Sequence, residues 1–212
     1  MTNPNRTHIT AVIDRSGSMQ SMLQETVAGI NRFCKEQAAL PGDVEFTLAV
    51  FDNIYEERFS CANLKSLRVI TEEDVMPRGG TALYDAIARA TTETGNRLSA
   101  MPENERPGKV ILLIITDGME NCSTDYRGEG GRKRVKAMIE HQREKYAWEV
   151  VFLGANMDAV AVGDSLGVAR HSSLTYVSTG DGMTKAFNSV SAGVTRSRTG
   201  AVDATKQGYF AP

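Results

Sequence analysis

His8-Ile9-Thr10-Ala11-Val12-Ile13 followed by Asp14-Arg15-Ser16-Gly17-Ser18 is an apolar run that ends in a small polar turn. The run reads as a buried strand. The residues after the turn, Met19 to Leu40, read as an amphipathic helix, because Met19, Met22, Leu23, Val27, Ile30, Phe33 and Cys34 recur at helical spacing. A strand that feeds a helix through a short turn is the opening unit of an α/β fold. In such a fold ligands bind beyond the carboxyl ends of the strands. Asp14, Ser16 and Ser18, spaced two residues apart on that turn, direct three oxygens into one small volume.

Working outward, apolar runs alternate with helical patterns, the signature of a mostly parallel sheet covered on both faces. Val44–Phe51 is the next strand, and Ile54–Phe59 pairs with it as an antiparallel hairpin through the Asp52-Asn53 turn. Pro77-Arg78-Gly79-Gly80 breaks the chain before Thr81, which leads into a helix with Leu83, Ile87, Ala90, Thr94 and Leu98 inward. Lys109–Thr116 is the most apolar strand and is expected at the sheet centre, where both faces are covered. Asp117 follows it directly. The remaining pattern predicts a helix carrying Val135, Met138, Ile139, Gln142 and Tyr146, a strand over Trp148–Leu153 and a helix over Met157–Leu166. A short strand over Leu174–Val177 and a last helix over Met183–Arg196 complete it. Leu67–Val75 carries no readable period. The expected fold class is α/β, a three-layer doubly wound, Rossmann-like, mostly parallel sheet with one antiparallel edge strand. One domain is expected over residues 7–199, with flexible termini at 1–6 and 200–212; Tyr209-Phe210 reads as part of that frayed end, with docking as a small sticky element the second reading.

A chain of 212 residues is long enough for one complete core, and its net charge of -2 argues against nucleic acid as the main partner. The polar N-terminus carries no signal-peptide core, and the longest apolar run, Val110–Ile115, falls far short of the roughly 20 residues needed to span a bilayer. The three cysteines, Cys34, Cys61 and Cys122, are odd in number, show no CxxC spacing and read as reduced thiols. A soluble cytoplasmic protein is expected.

Asp14, Ser16, Ser18, Thr81 and Asp117 supply oxygen donors at one sheet edge, with no histidine or thiolate among them. That composition favours Mg²⁺, with Mn²⁺ or Ca²⁺ as alternatives, over zinc or copper. Two aspartates only neutralise a divalent ion. If they bind through water, the direct ligands are mostly neutral hydroxyls, and the ion keeps an open position for an anionic oxygen. Helix capping explains one of these residues but not donors at three separate strand ends.

This constellation, Asp14-x-Ser16-x-Ser18 with Thr81 in Gly-Gly-Thr-Ala-Leu and Asp117 in Thr-Asp-Gly, resembles the metal-ion-dependent adhesion site of von Willebrand factor type A domains. The resemblance implies that the two serines and the threonine bind the metal directly while the aspartates act through water. It implies a non-enzymatic adaptor or scaffold, completed by a glutamate or aspartate of a protein partner. Phe152-Leu153-Gly154-Ala155-Asn156-Met157-Asp158-Ala159 is similar to a bacterial and phage branch of stand-alone type A domains. Arg15 departs from the smaller residues common there and reads as solvated; attraction of a carboxylate partner is the second reading.

Other features have plainer readings. Asp85 is read as a helix N-terminal charge, with support of the oxygen site from behind as the second reading, and Glu120 and Asn121 as loop residues able to line a partner surface. Arg127, Arg132, Lys133, Arg134 and Lys136 read as a solvated helix start, and His8, His141 and His171 show no ligand spacing. The competing functions are a metal-assisted hydrolase or phosphatase, for which the motifs supply no lysine or histidine as acid or base, and an RNA-associated adaptor using the basic helix start. Oligomeric state is open.

Overall fold

The computed structural model describes residues 1–200 and 209–210, apart from the side chain of Ala62. Six strands form one sheet: β1 (Asn3–Asp14), β2 (Asp43–Phe51), β3 (Tyr55–Asn63), β4 (Pro107–Thr116), β5 (Glu149–Ala155) and β6 (Ser173–Tyr176). Five helices cover it: α1 (Leu23–Ala38), α2 (Leu83–Ala100), α3 (Gly128–Tyr146), α4 (Ala159–Ser165) and α5 (Gly180–Arg198). The strand order is β3-β2-β1-β4-β5-β6. All neighbours are parallel except the β2–β3 hairpin. The expected α/β class, its mostly parallel sheet and its antiparallel edge strand are therefore present.

The inner strands bury both faces, so the core divides into two layers. Ile9, Ala11, Ile13, Phe46, Leu48 and Val50 pack under α1 and α5. Val12, Ala49, Phe51, Leu112 and Ile114 pack under α2 and α3. Successive residues of a strand alternate between these layers, which is why β1 and β4 read as continuous apolar runs. The chain leaves β1 for β2 on one side and enters β4 on the other. A switch point therefore lies between β1 and β4, with their carboxyl ends side by side.

Several boundaries differ from the sequence reading. Residues 3–6, expected in a flexible terminus, extend β1: the Asn3 amide donates to the Arg106 carbonyl at 2.7 Å, and Arg6 reaches the Glu105 carbonyl at 2.9 Å. The first turn after Gly17 is a 3₁₀ turn, and α1 proper starts at Leu23. Such tightening is common at helix starts. The α4 helix starts at Ala159 because Asp158 caps it, accepting the Ala161 amide at 2.9 Å. Residues 67–75 are held by side chains rather than by a repeating pattern. Asp74 accepts from both Arg68 terminal nitrogens at 2.8 Å and from the Thr71 amide at 2.9 Å, while Asn31 anchors Ile70.

Most of the expected flexible C-terminal stretch lies outside the described residues. Tyr209, read as part of a frayed end, is 1% exposed. Its hydroxyl donates to Glu149, and its carbonyl accepts from Arg196 at 2.6 Å. Gly193 on α5 leaves the space for this aromatic ring.

Close helix packing yields a first prediction. A Cβ at Gly29 on α1 would lie 2.2 Å from the buried ring of Phe187 on α5. Overpacking costs about 1–3 kcal/mol and outweighs the roughly 1 kcal/mol that alanine gains in a helix. Gly29→Ala is thus expected to lower the melting temperature; an unchanged or higher one means that α1 and α5 can part freely.

Candidate metal centre

The five oxygen-bearing residues come from three loops that the sheet aligns at its carboxyl edge. Asp14 ends β1, Ser16 and Ser18 follow in the turn, Thr81 precedes α2, and Asp117 follows β4. Asp14 Oδ1 accepts the Ser16 amide at 2.6 Å, which closes the turn. The Ser16 and Ser18 hydroxyls are 3.0 Å apart, and Ser18 donates to Asp117 Oδ1 at 2.7 Å. A Cβ built on Gly118 would lie 2.9 Å from Thr81 Oγ1 and 3.8 Å from Asp14 Oδ2. The bare glycine therefore leaves a gap that Thr81 and Asp14 both border. Asp14, Ser16 and Thr81 are buried, Asp117 is half-buried and Ser18 is exposed, so the cluster opens on one side.

The electrostatics fit a cation. Burial pushes the Asp14 carboxyl from 3.8 up to about 6, against the hydrogen bonds from Thr116 and Ser16, and the nearby Asp117 adds to the rise. Burial likewise raises the Asp117 carboxyl. Two carboxylates that have lost water and sit near one another favour a positive charge between them. The donors are all oxygen, matching a hard divalent ion such as Mg²⁺. Ser16, Ser18 and Thr81 offer neutral ligands, and Asp14 and Asp117 offer charge.

Several residues beyond the five position this set. Thr116 donates to Asp14 Oδ2 at 2.6 Å and accepts the Gly118 amide at 3.2 Å. Asn121 is exposed and also anchored: its Oδ1 accepts the Thr81 amide at 2.9 Å, and its own amide donates to the Thr81 carbonyl at 3.0 Å. Glu120 accepts the Tyr84 amide at 2.9 Å and also bonds Ser123. Asp85, read as a helix-end charge, accepts the amides of Thr124 and Tyr126 at 2.7 and 2.8 Å and so ties down the loop after Asp117. Gly79 has φ +66, and a Cβ there would meet Asn53 Oδ1 at 2.3 Å. Its space is taken by Asn53, which holds the Gly80 amide at 2.8 Å. The signal for Thr116 was present in Thr-Asp-Gly; the long-range partners had none.

Arg15 corrects the solvated reading. It is 3% exposed, with Nε 3.1 Å from Asp52 and Nη1 2.9 Å from Glu56. Its side chain is turned inward, away from any partner. The basic start of α3 is paired within the chain: Arg132 and Lys133 with Glu129, Lys136 with Glu140, and Arg134 over the Tyr126 ring.

The sequence profile of the von Willebrand factor type A domain matches residues 9–120, over half the chain. The chain belongs to this family. Type A domains commonly serve in adhesion and protein interaction. No curated protein matches the chain. Among solved structures it is similar to proximal thread matrix protein 1 of the mussel byssus, with 18% identity and a TM-score of 0.61 over 88% of this chain and 45% of that one. It is also similar to the von Willebrand domain of the type V pili tip protein Mfa5 from Porphyromonas gingivalis (12%, 0.59, 89% and 95%). The open conformation of the pilus adhesin SpaC from Lactobacillus rhamnosus GG is a third (14%, 0.65, 87% and 29%). The chain spans less than half the length of the first structures it matches. At these identities the likeness concerns the type A fold alone. No described helix is long and apolar enough to cross a membrane.

Proposed function

We propose that this chain is a divalent-metal-dependent protein-binding module, an adaptor or scaffold rather than an enzyme. Ser16, Ser18 and Thr81 would hold Mg²⁺ directly, with Asp14 and Asp117 reaching it through water. Bound there, the ion supplies an electrophilic centre with one position left for an aspartate or glutamate of a partner. The observation that carries this reading is the convergence of five oxygen-bearing side chains from three loops: Ser18 bonds Ser16 and Asp117, and Thr81 and Asp14 border the space beside Gly118.

The surrounding surface supports a protein as partner. Ile54 in the β2–β3 turn, Met76 before Pro77, Met119 after Asp117 and Val177 after β6 are large apolar residues, each at least 46% exposed. All four lie on loops at the edge that carries the oxygen cluster. Exposed apolar groups gathered at one edge suit contact with a protein surface when they form a continuous patch. The pairing of the basic α3 start within the chain weighs against an RNA-associated role. Cys34, Cys61 and Cys122 are free thiols, which supports a reducing, cytoplasmic setting. The Phe152–Ala159 segment supports a place in the stand-alone bacterial and phage branch.

Affinity capture from the source cells, in Mg²⁺ and in EDTA, tests the reading. A partner is expected in Mg²⁺ only, and its release is expected when one surface carboxylate of that partner is changed to the amide. Capture that is indifferent to EDTA, or lost equally with Met119→Ser and not with Ser16→Ala, refutes the metal bridge.

A further inference from the structure

A second constellation lies at the opposite end of the same strand. His8 on β1, Glu45 on β2 and Cys61 on β3 each present one ligand atom, and the three atoms lie within 4.8 Å of one another. His8 sits six residues before Asp14, roughly 20 Å along an extended strand. The set is therefore independent of the carboxyl-edge cluster. We propose that His8, Glu45 and Cys61 form a site for a borderline transition-metal ion of the zinc class, on the α2 face of the sheet.

The local fold brings these residues together by two devices. Parallel pairing sets His8 opposite Glu45, and both side chains lie on the layer that faces α2. The β2–β3 register shifts between Phe46 and Leu48, and Cys61 in that irregular stretch has φ 49. An extra residue in one strand re-aims a side chain, and a non-glycine residue in the left-handed region marks a backbone held by its surroundings. Here it directs the Cys61 thiol toward His8.

His8 is fully buried, and its two ring nitrogens have different surroundings. Nε2 lies 3.1 Å from Thr10 Oγ1, which in turn lies 3.1 Å from Thr94 Oγ1 on α2. A proton on Nε2, donated to Thr10, leaves the Nδ1 lone pair facing the other two groups. That Nδ1 is 3.5 Å from Glu45 Oε2, and both atoms are buried without a hydrogen-bond partner. An orienting hydroxyl behind one nitrogen and an unpartnered lone pair on the other is the arrangement of a metal-ligating histidine.

The charges around the set agree. Arg97 Nη1 lies 2.9 Å from the Cys61 sulfur, and Arg6 pairs with Glu45. Arg97 also bonds Thr47 and Glu57, so its guanidinium is anchored beside the sulfur as a donor to a metal-bound thiolate. Nitrogen, sulfur and one carboxylate oxygen select zinc-class ions over Mg²⁺. Two ligands on one tetrahedral zinc lie roughly 3.3–3.8 Å apart, a span reached by small rotations of Glu45 and Cys61. Both side chains are partly exposed.

The test uses the whole chain, reduced and metal-stripped, in excess Mg²⁺ so that the carboxyl-edge cluster is satisfied. Co²⁺ is titrated while the near-ultraviolet thiolate-to-cobalt band is followed. The band is expected to saturate at one equivalent, to vanish on adding Zn²⁺ and to be absent from Cys61→Ser, while Cys122→Ser keeps it. Thr10→Val, which removes the orienting hydroxyl, is expected to weaken Zn²⁺ binding roughly ten- to a hundredfold. Zn²⁺ is also expected to slow alkylation of Cys61 in the unmodified chain, a readout that needs no variant to fold. No band in the unmodified chain, a band that survives Cys61→Ser, or alkylation of Cys61 indifferent to Zn²⁺ overturns the proposal in favour of a metal-free His–Glu–thiol cluster.

Discussion

Mg²⁺ at a hundred times its dissociation constant is expected to stabilise this chain by about 2.7 kcal/mol, and Asp14→Ala is expected to abolish that gain. For a chain of this size the stabilisation corresponds to a rise of about 5–11 °C in melting temperature. The reasoning starts from burial. Asp14 is 1% exposed and its charged form has lost water, so an ion that restores a positive neighbour binds the folded state and not the unfolded one. Ser16→Ala removes a neutral donor and leaves both carboxylates in place. It is expected to remove most of the Mg²⁺ response while leaving the melting temperature in EDTA close to that of the unmodified chain. Thermal melts in EDTA and across a Mg²⁺ series, with calorimetric titration of the same samples, measure both quantities. A melting temperature that does not move with Mg²⁺, or one that moves equally in Ser16→Ala, sinks the oxygen cluster as a metal centre.

The sequence made some of this architecture readable and hid the rest, for identifiable reasons. Strands buried on two faces leave unbroken apolar runs, so β1, β2 and β4 stand out, and helical stripes mark α1, α2 and α5. The five oxygen donors were legible because each sits one or a few residues from such an element, where strand order alone decides its place. Contacts that depend on side chains crossing between loops left no pattern. Nothing local links Asn121 to Thr81, Asp85 to the amides of residues 124–126, or Asn53 to Gly80. His8 was read as an isolated histidine because its companions are 37 and 53 residues away in sequence and meet it only through strand pairing and a bulge. Arg15 misled for a related reason. An arginine in a polar turn is usually solvated, and the acids that draw this one inward, Asp52 and Glu56, belong to the next hairpin.

That inward arginine leads to the second large effect: Asp52→Ala is expected to destabilise the chain by about 3–5 kcal/mol, because it strips a buried cation of its buried counter-charge and leaves only the partly exposed Glu56. Asp52 is 2% exposed and lies between Arg15, equally buried, and Arg78, about half exposed. Most of the loss arises on the Arg15 side, since water screens Arg78. The same three residues join the loops of the oxygen cluster. The Arg78 amide donates to the Arg15 carbonyl at 2.7 Å, Gly17 donates to Gly79, and Ala82 donates to the Asp52 carbonyl at 2.9 Å. Weaker Mg²⁺ binding is therefore expected to accompany the lost stability, in contrast to Ser16→Ala, where binding falls alone. The pH dependence separates charge from packing. Burial opposes the charged Asp52 carboxyl, but Arg78, the Ile54 amide and Arg15 together hold it below its ordinary value. A depressed carboxyl contributes its full stability above the unfolded value of about 3.9 and loses it as pH falls further. The gap between Asp52→Ala and the unmodified chain, measured by urea unfolding, should be widest near pH 7 and narrow steadily below pH of about 4. A gap below 1 kcal/mol at pH 7, or one of constant size down to strongly acidic pH, would mean that Arg15 does not need Asp52 as a counter-charge and that the loops of the oxygen cluster are held together by other contacts.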